Sequence, residues 1–282
     1  MIEQVCRKER QYGMEIREIA EIKRKAKEWF VSYTANYDME DPKIALKAVH
    51  TYHVAELCQT IAESLALSEV ECMVAWLSGL LHDVGRFEQI RRFNTFSDAD
   101  SIDHALLSSE ILFGTEEDAS CGRIRQVILD PSWDTYLYKA IKYHSAYRLP
   151  SDLSEMEKTY CQILRDADKI DIFRVNLETP LEDIYNTTTE VLKQAEVTPE
   201  VLAAFRERHA VLRALKKTPV DNVVGHISLY YELIYPKSRQ IALSQGYLLR
   251  LAGFVSENEK TRKVFEDIRT QLQEDIENGS KK

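Results

Sequence analysis

Residues 80–87 read LLHDVGRF, and they close a run, CMVAWLSGLL (72–81), that carries no charged side chain. A helix apolar all the way round belongs in a core. The segment is therefore read as a buried α-helix that ends on His82 and Asp83. A carboxylate buried there is costly unless it is paired or coordinated. The question raised by the stretch is where its partners lie.

Working outward, Ser68 followed three residues later by Glu71 predicts a capped start for this helix, and Gly85 predicts a left-handed stop. Upstream, DPKIALKAVHTYHVAELCQTIAESLAL (41–67) offers Asp41 as N-cap and Pro42 at the first helical position. Residues 14–37 form a charged amphipathic helix, and residues 86–101 are polar and irregular and read as a loop that Arg91 and Arg92 begin. DHALLSSEILF (103–113), DTYLYKAIKYH (134–144) and SEMEKTYCQILRDADKIDIFRVNL (154–177) give three further helices. From about 181 the pattern predicts longer helical stretches, including FRERHAVLRALKK (205–217), with breaks at TPE (198–200) and TPVDN (218–222). With nine glycines, seven prolines and helical rather than alternating periodicity, the fold class is all-α. The expected organisation is an N-terminal helical extension (1–44), a core bundle (45–175) and a C-terminal helical lobe (176–282) packed on that core. The final ENGSKK is expected to fray.

The totals narrow the classes of function. The chain has 282 residues, 44% hydrophobic and 29% charged, as in soluble globular proteins. A net charge of −9 disfavours general nucleic-acid binding. No apolar run approaches the roughly 20 residues of a membrane span, and the charged MIEQVCRKERQYGMEIREIAEIKRKAKEWF lacks the apolar region of a secretory leader. The five cysteines form no CxxC pair, and Cys58, Cys72 and Cys161 read as buried thiols. Neither a disulfide framework nor a zinc finger fits, and the expected setting is a reducing cytoplasm.

Helical stripes supply the missing partners. His50 shares a face with Val54, Leu57, Ile61 and Leu65; His104 with Leu107, Ser108 and Ile111; His144 with Leu137, Ala140 and Ile141. Asp168 lies with Cys161, Leu164, Ile172 and Val175. One inward histidine is usually a hydrogen-bonded core residue. Four inward histidines and two inward aspartates call for a cation between them. By contrast His209 reads as a surface residue, His53 lies about 60° off the His50 stripe, and His226 in VVGHISLYYELIYP (223–236) reads as a capping or packing residue.

These residues resemble the HD-domain superfamily of metal-dependent phosphohydrolases. LLHDVGRF is close to the family's HDIG signature, HTYHVAEL (50–57) is similar to its first-ligand helix, and ILRDADKIDIF (163–173) to its last motif. That likeness selects His50 over His53 and Asp168 over Asp166, and it spans roughly residues 45–175. DHALLSSEIL and IKYH supply the two histidines used by members with two metals. The GYP motif of cyclic-di-GMP phosphodiesterases is missing, since SAYRLPSDL follows His144.

The resemblance implies one metal held by His50, His82, Asp83 and Asp168, with Asp83 able to bridge to a second held by His104 and His144. The mixed nitrogen and oxygen set suits one or two divalent transition metal ions among Fe, Mn, Zn, Co and Ni. It implies hydrolysis of a phosphoester or nucleotide by a metal-bound hydroxide, with Asp83, His82 and Arg86 catalytic. Arg86, Lys142, Arg148 and Lys169 are the expected contacts to a small phosphorylated substrate. Arg91 and Arg92 are weaker choices. A homo-oligomer is compatible with the sequence. Two alternatives stay open at this level: a di-iron oxygenase using the same six ligands, and a non-catalytic regulatory module.

Overall fold

The computed structural model describes residues 16–115, 118–185 and 187–279. Residues 1–15, Cys6 among them, and the terminal SKK lie outside the described residues. Among the described residues there are helices and turns and no strand, so the all-α reading holds. No described helix is long and apolar enough to cross a membrane. The chain divides into two compact units, one up to Asp168 and one from Lys169.

In the first unit, α1 (Ile16–Thr34), α2 (Pro42–Ser64), α3 (Glu69–Leu81), α4 (Val84–Phe93), α5 (His104–Phe113) and α6 (Asp134–Tyr143) precede α7 (Glu155–Glu178), which runs on past the division. Every residue of α3 from Val70 to Leu81 is buried. The apolar run has become the central rod, packed against α2, α1 and α6. Its start is the predicted capping box: Ser68 N donates to Glu71 Oε2 at 2.8 Å, and Glu71 N donates to Ser68 Oγ at 3.3 Å. Asp41 caps α2 by accepting from Lys43 N, with Pro42 at the first position. Cys58, Cys72 and Cys161 are buried free thiols.

The left-handed stop predicted at Gly85 is not found. α3 ends at Leu81, His82 stays helical, and Asp83 breaks the helix at φ −108°, ψ 17°. Gly85 lies inside α4, because its missing side chain is needed for close approach and not for a turn. A Cβ there would sit 2.7 Å from His104 O and 2.7 Å from Ser108 N. The loop predicted from residue 86 is shorter as well. Residues up to Phe93 are helical because Phe87 and Ile90 pack inward, while Glu88 accepts ion pairs from Arg91 and Arg92. Arg91 and Arg92 therefore close α4, and the irregular stretch starts at Asn94, whose φ is 52°. The break at Asp83 is fixed from α1, where Tyr33 Oη donates to Val84 O at 2.9 Å and Phe30 meets Phe87 edge-on.

The second unit comprises the end of α7 and α8 (Leu181–Tyr185), α9 (Thr189–Gln194), α10 (Pro199–Arg206), α11 (Pro219–Ser228), α12 (Pro236–Ser244), α13 (Tyr247–Ala252) and α14 (Glu259–Gly279). Until α14 these are short, contrary to the expected long helices. FRERHAVLRALKK is not one helix, because α10 stops at Arg206 and Arg208 takes φ 61° with its guanidinium on Asp275. The two TP segments start helices, and one buried carboxylate joins them. Asp221 accepts from Thr198 N and Oγ1 at 2.8 and 2.6 Å, and from Lys217 N and Thr218 N at 2.8 and 2.9 Å.

α2 and α3 cross closely at Gly79, where an added Cβ would lie 2.6 Å from Ala55 Cα and 2.8 Å from Ala55 N. Both neighbours are backbone, so α2 and α3 must separate to admit a methyl. Gly79→Ala gains up to about 1 kcal/mol in helix propensity against an overpacking cost of about 1–3 kcal/mol. The expected outcome is net destabilisation, read as a lower urea midpoint; a midpoint at or above the wild-type value would refute the close crossing.

Candidate metal centre

Five pieces of helix deliver six side chains to one place. His50 comes from the middle of α2, His82 and Asp83 from the break between α3 and α4, and His104 from the first position of α5. His144 follows the last residue of α6, and Asp168 stands on α7. Asp103 caps α5 through Ala105 N and Leu106 N, which sets the direction of His104. Arg165 donates to the carbonyls of Tyr143, His144 and Ala146, which holds the turn bearing His144.

Asp83 organises the cluster because its two oxygens face different partners. Oδ2 lies 3.7 Å from His50 Nε2 and 3.4 Å from His82 Nε2, and Asp168 Oδ1 is 3.1 Å from the same His50 nitrogen and 3.9 Å from that of His82. Oδ1 lies 3.6 Å from His104 Nε2 and 3.7 Å from His144 Nε2. Ligand atoms about 2.0–2.2 Å from one ion stand roughly 3.0–3.5 Å apart. His50, His82 and Asp83 thus form one group that could hold a metal ion, and Asp83, His104 and His144 a second. Asp98, Asp103 and His104 also come close, but Asp103 is engaged in capping and His104 Nδ1 in a bond to Asp98.

The hydrogen-bond partners fix which ring nitrogen carries the proton. His82 Nδ1 is 2.7 Å from Gly79 O and His144 Nδ1 is 2.7 Å from Ile141 O. A carbonyl only accepts, so both Nδ1 atoms are protonated. His104 Nδ1 is 2.7 Å from Asp98 Oδ2, a carboxylate that likewise accepts. All three rings therefore turn a lone pair inward on Nε2. The consequence is sharpest between His104 and His144, whose Nε2 atoms are 3.0 Å apart. Two lone pairs facing at that distance repel, and a cation between them converts repulsion into coordination. His82 Nε2 and Asp83 Oδ1 are buried without a hydrogen-bond partner among the described residues, a state that is costly unless an ion satisfies it. The residues present fit a metal.

Charge agrees with this donor set. Burial works against ionisation of Asp83, but the Lys47 ammonium and the surrounding imidazoles outweigh it and hold the carboxyl well below its usual range. At Asp168 the same contest is decided by His50 and His82. Burial, with the facing His104 and His82, pulls His144 down to about 3, and burial with Arg86 lowers His104. At neutral pH the Asp83 and Asp168 carboxylates are charged and the His104 and His144 imidazoles are neutral, which is the ligating form of each.

Lys47, absent from the sequence reading, donates to Asp83 Oδ2 at 2.7 Å. It lies one turn before His50, so its position on the same stripe was the available signal. Asp98 was also missed, because nothing in a polar loop marks the one carboxylate that will reach His104. Arg86 is central: Nη2 is 3.2 Å from His104 Nε2, while Nη1 donates to Gln89, to Phe96 O and to Asp98. Lys142 Nζ donates to Tyr138 Oη at 2.9 Å, and Arg148 lies over the Tyr147 ring. Lys169, the residue after Asp168, is buried. His53 is exposed on α2, and His209 pairs with Glu207.

Two outcomes are expected here. Asp98→Asn removes the carboxylate that fixes the His104 tautomer, and outer partners of this kind are worth about 10–100-fold in metal affinity. Metal titration should show that loss for one ion only, and an unchanged isotherm would rule out the role. In metal-free protein, His144 stays neutral down to about 3, whereas the unfolded chain takes the proton near 6.5. Its folded pKa is the lower one, so stability is complete above pH 6.5 and falls as pH drops from there towards 3. Urea midpoints of chelated protein should decrease across that window, and His144→Gln should flatten the decrease; an unaltered slope in the variant would show that His144 is not the group responsible.

Comparison with known proteins agrees with the geometry. A family model described as HD domain matches residues 48–172, the span that carries all six side chains. Searches of curated proteins and of solved structures found no match. The histidines and aspartates drawn together from α2 to α7 thus all lie in the segment, residues 48–172, that is similar to the HD domain.

Proposed function

We propose that this HD-like segment is that of a metal-dependent phosphohydrolase that cleaves a phosphoester or nucleotide. The observation that carries this reading is Asp83, with one oxygen towards His50 and His82 and the other towards His104 and His144. His50, His82, Asp83 and Asp168 would hold one divalent ion, and Asp83, His104 and His144 a second. Ions so held lower the pKa of water towards 7 and polarise a phosphoryl oxygen.

The chain's own residues supply the rest. The Lys47 and Arg86 side chains reach the Asp83 carboxylate from opposite oxygens, with Arg86 Nε 3.7 Å from Oδ1. Both heads also lie over Phe96, at 5.5 and 5.9 Å from its ring centre. This cationic pair gives an acidic protein a local site for an anionic group. With Asp98 and Gln89 holding one arm of the guanidinium, Arg86 is pre-set to receive a phosphoryl oxygen with little loss of freedom. Lys142, Arg148 and Lys169 are proposed, from their sequence positions, as outer contacts.

The test is metal analysis joined to a phosphate-release screen. The wild-type protein is expected to carry metal and release phosphate from a phosphoester, and His82→Ala and Asp83→Ala to reduce both to background. Arg86→Met should lose about 10–100-fold in kcat/KM while retaining metal, the scale of one charge-assisted hydrogen bond. Metal-replete protein inert towards a broad phosphoester panel would overturn the proposal. Oxygen consumption by an iron-loaded sample would put O₂ chemistry in its place.

A further inference from the structure

Arg86 has three donor nitrogens, and the fold engages them unequally. Nη1 donates to Gln89 Oε1, Phe96 O and Asp98 Oδ1 at 2.6, 2.7 and 3.0 Å. Gln89 is itself fully buried, and its Nε2 is tied to Asp98 Oδ1, Ser101 Oγ and Ile102 O. That arm of the guanidinium is anchored. The opposite edge is not. Nε is buried with no hydrogen-bond partner among the described residues, and its 3.7 Å to Asp83 Oδ1 is too long for one. A buried donor in that condition is costly unless a ligand meets it.

Nη2 does have a partner, and that partner is a candidate ligand atom. It lies 3.2 Å from His104 Nε2. A guanidinium can only donate, and His104 holds its own proton on Nδ1 against Asp98, so the Nε2 lone pair accepts. This is the same lone pair that, in the second ligand group, stands 3.6 Å from Asp83 Oδ1 and 3.0 Å from His144 Nε2. An imidazole nitrogen has one lone pair. It serves the guanidinium or an ion, and not both.

We propose that Arg86 and the second divalent ion compete for His104 Nε2, and that Nη2, once off the imidazole, joins Nε as a two-pronged receptor for a phosphoryl group. Nε–H and the adjacent Nη2–H lie along one edge of the planar guanidinium, the geometry that meets two oxygens of one phosphate. The motion required is a pivot about the anchored Nη1 arm. This inference rests on reading the centre as one for a phosphorylated substrate. Its consequence is linkage: through Arg86, the second ion and the anion favour each other, and by reciprocity each tightens the other by the same factor.

The test is calorimetric titration of the full chain with Mn²⁺, without and with saturating inorganic phosphate, so that binding is read and turnover is not. The step lost in His104→Ala marks the second ion. Arg86→Met should tighten that step about tenfold or more, the value of one competing hydrogen bond to a charged group. Arg86→Lys keeps the charge, but its ammonium stands where the Arg86 Cζ was and falls short of His104, so it should tighten the step as well. Phosphate should tighten the step in the wild-type protein, and by about tenfold less in Arg86→Met. Thermal melts verify that each variant is folded. A second step unchanged or weakened in Arg86→Met, tightening in Arg86→Met without tightening in Arg86→Lys, or an equal effect of phosphate in wild type and Arg86→Met would each overturn the proposal. Linkage through Arg86 in a protein that releases no phosphate from any ester would support the competition and count against the hydrolysis alone.

Discussion

Asp83 is 2% exposed at the end of a helix in which every residue from Val70 onward is buried. A lone carboxylate in that position would be neutral or would unfold its surroundings. Here it stays charged because positive or ligating groups converge on both oxygens, and that convergence shapes the first unit. α2 must cross α3 closely enough to bring His50 and Lys47 to one oxygen, which Gly79 permits. α5 must approach α4 closely enough to bring His104 to the other, which Gly85 permits. The aromatic group from α1 then pins the chain as it leaves the break.

The ring tautomers follow from local helix geometry. His82 and His144 each donate Nδ1–H to the carbonyl three residues earlier, a bond available wherever a histidine closes a helix. Each helix end thus turns one lone pair towards the same space. With several lone pairs and a carboxylate facing one another, coordination of a cation is the arrangement that satisfies them all.

The second unit manages polarity differently. Asp221 is also fully buried and also charged, because burial is outweighed by the hydroxyl and amide donors that surround it. All of its acceptor capacity is spent on joining two helix starts. The contrast separates structure from chemistry: Asp221 is satisfied by the chain, whereas Asp83 Oδ1 and His82 Nε2 are not.

Much of this was legible in the chain itself. The uncharged run 72–81 dictated a buried helix, the Ser68–Glu71 box and the Asp41–Pro42 pair fixed where helices begin, and the inward stripes singled out His50, His82, Asp83, His104, His144 and Asp168, since helical period and capping are local properties. What needed the tertiary structure was every feature set by approach between helices. Gly85 looked like a stop and proved to be a contact, because only packing against α5 shows why it lacks a side chain. Lys47 and Asp98 came to Asp83 and His104 from ordinary polar surroundings. Local sequence determines which face of a helix is apolar; only the assembled fold decides which polar groups meet and which are left waiting for a ligand.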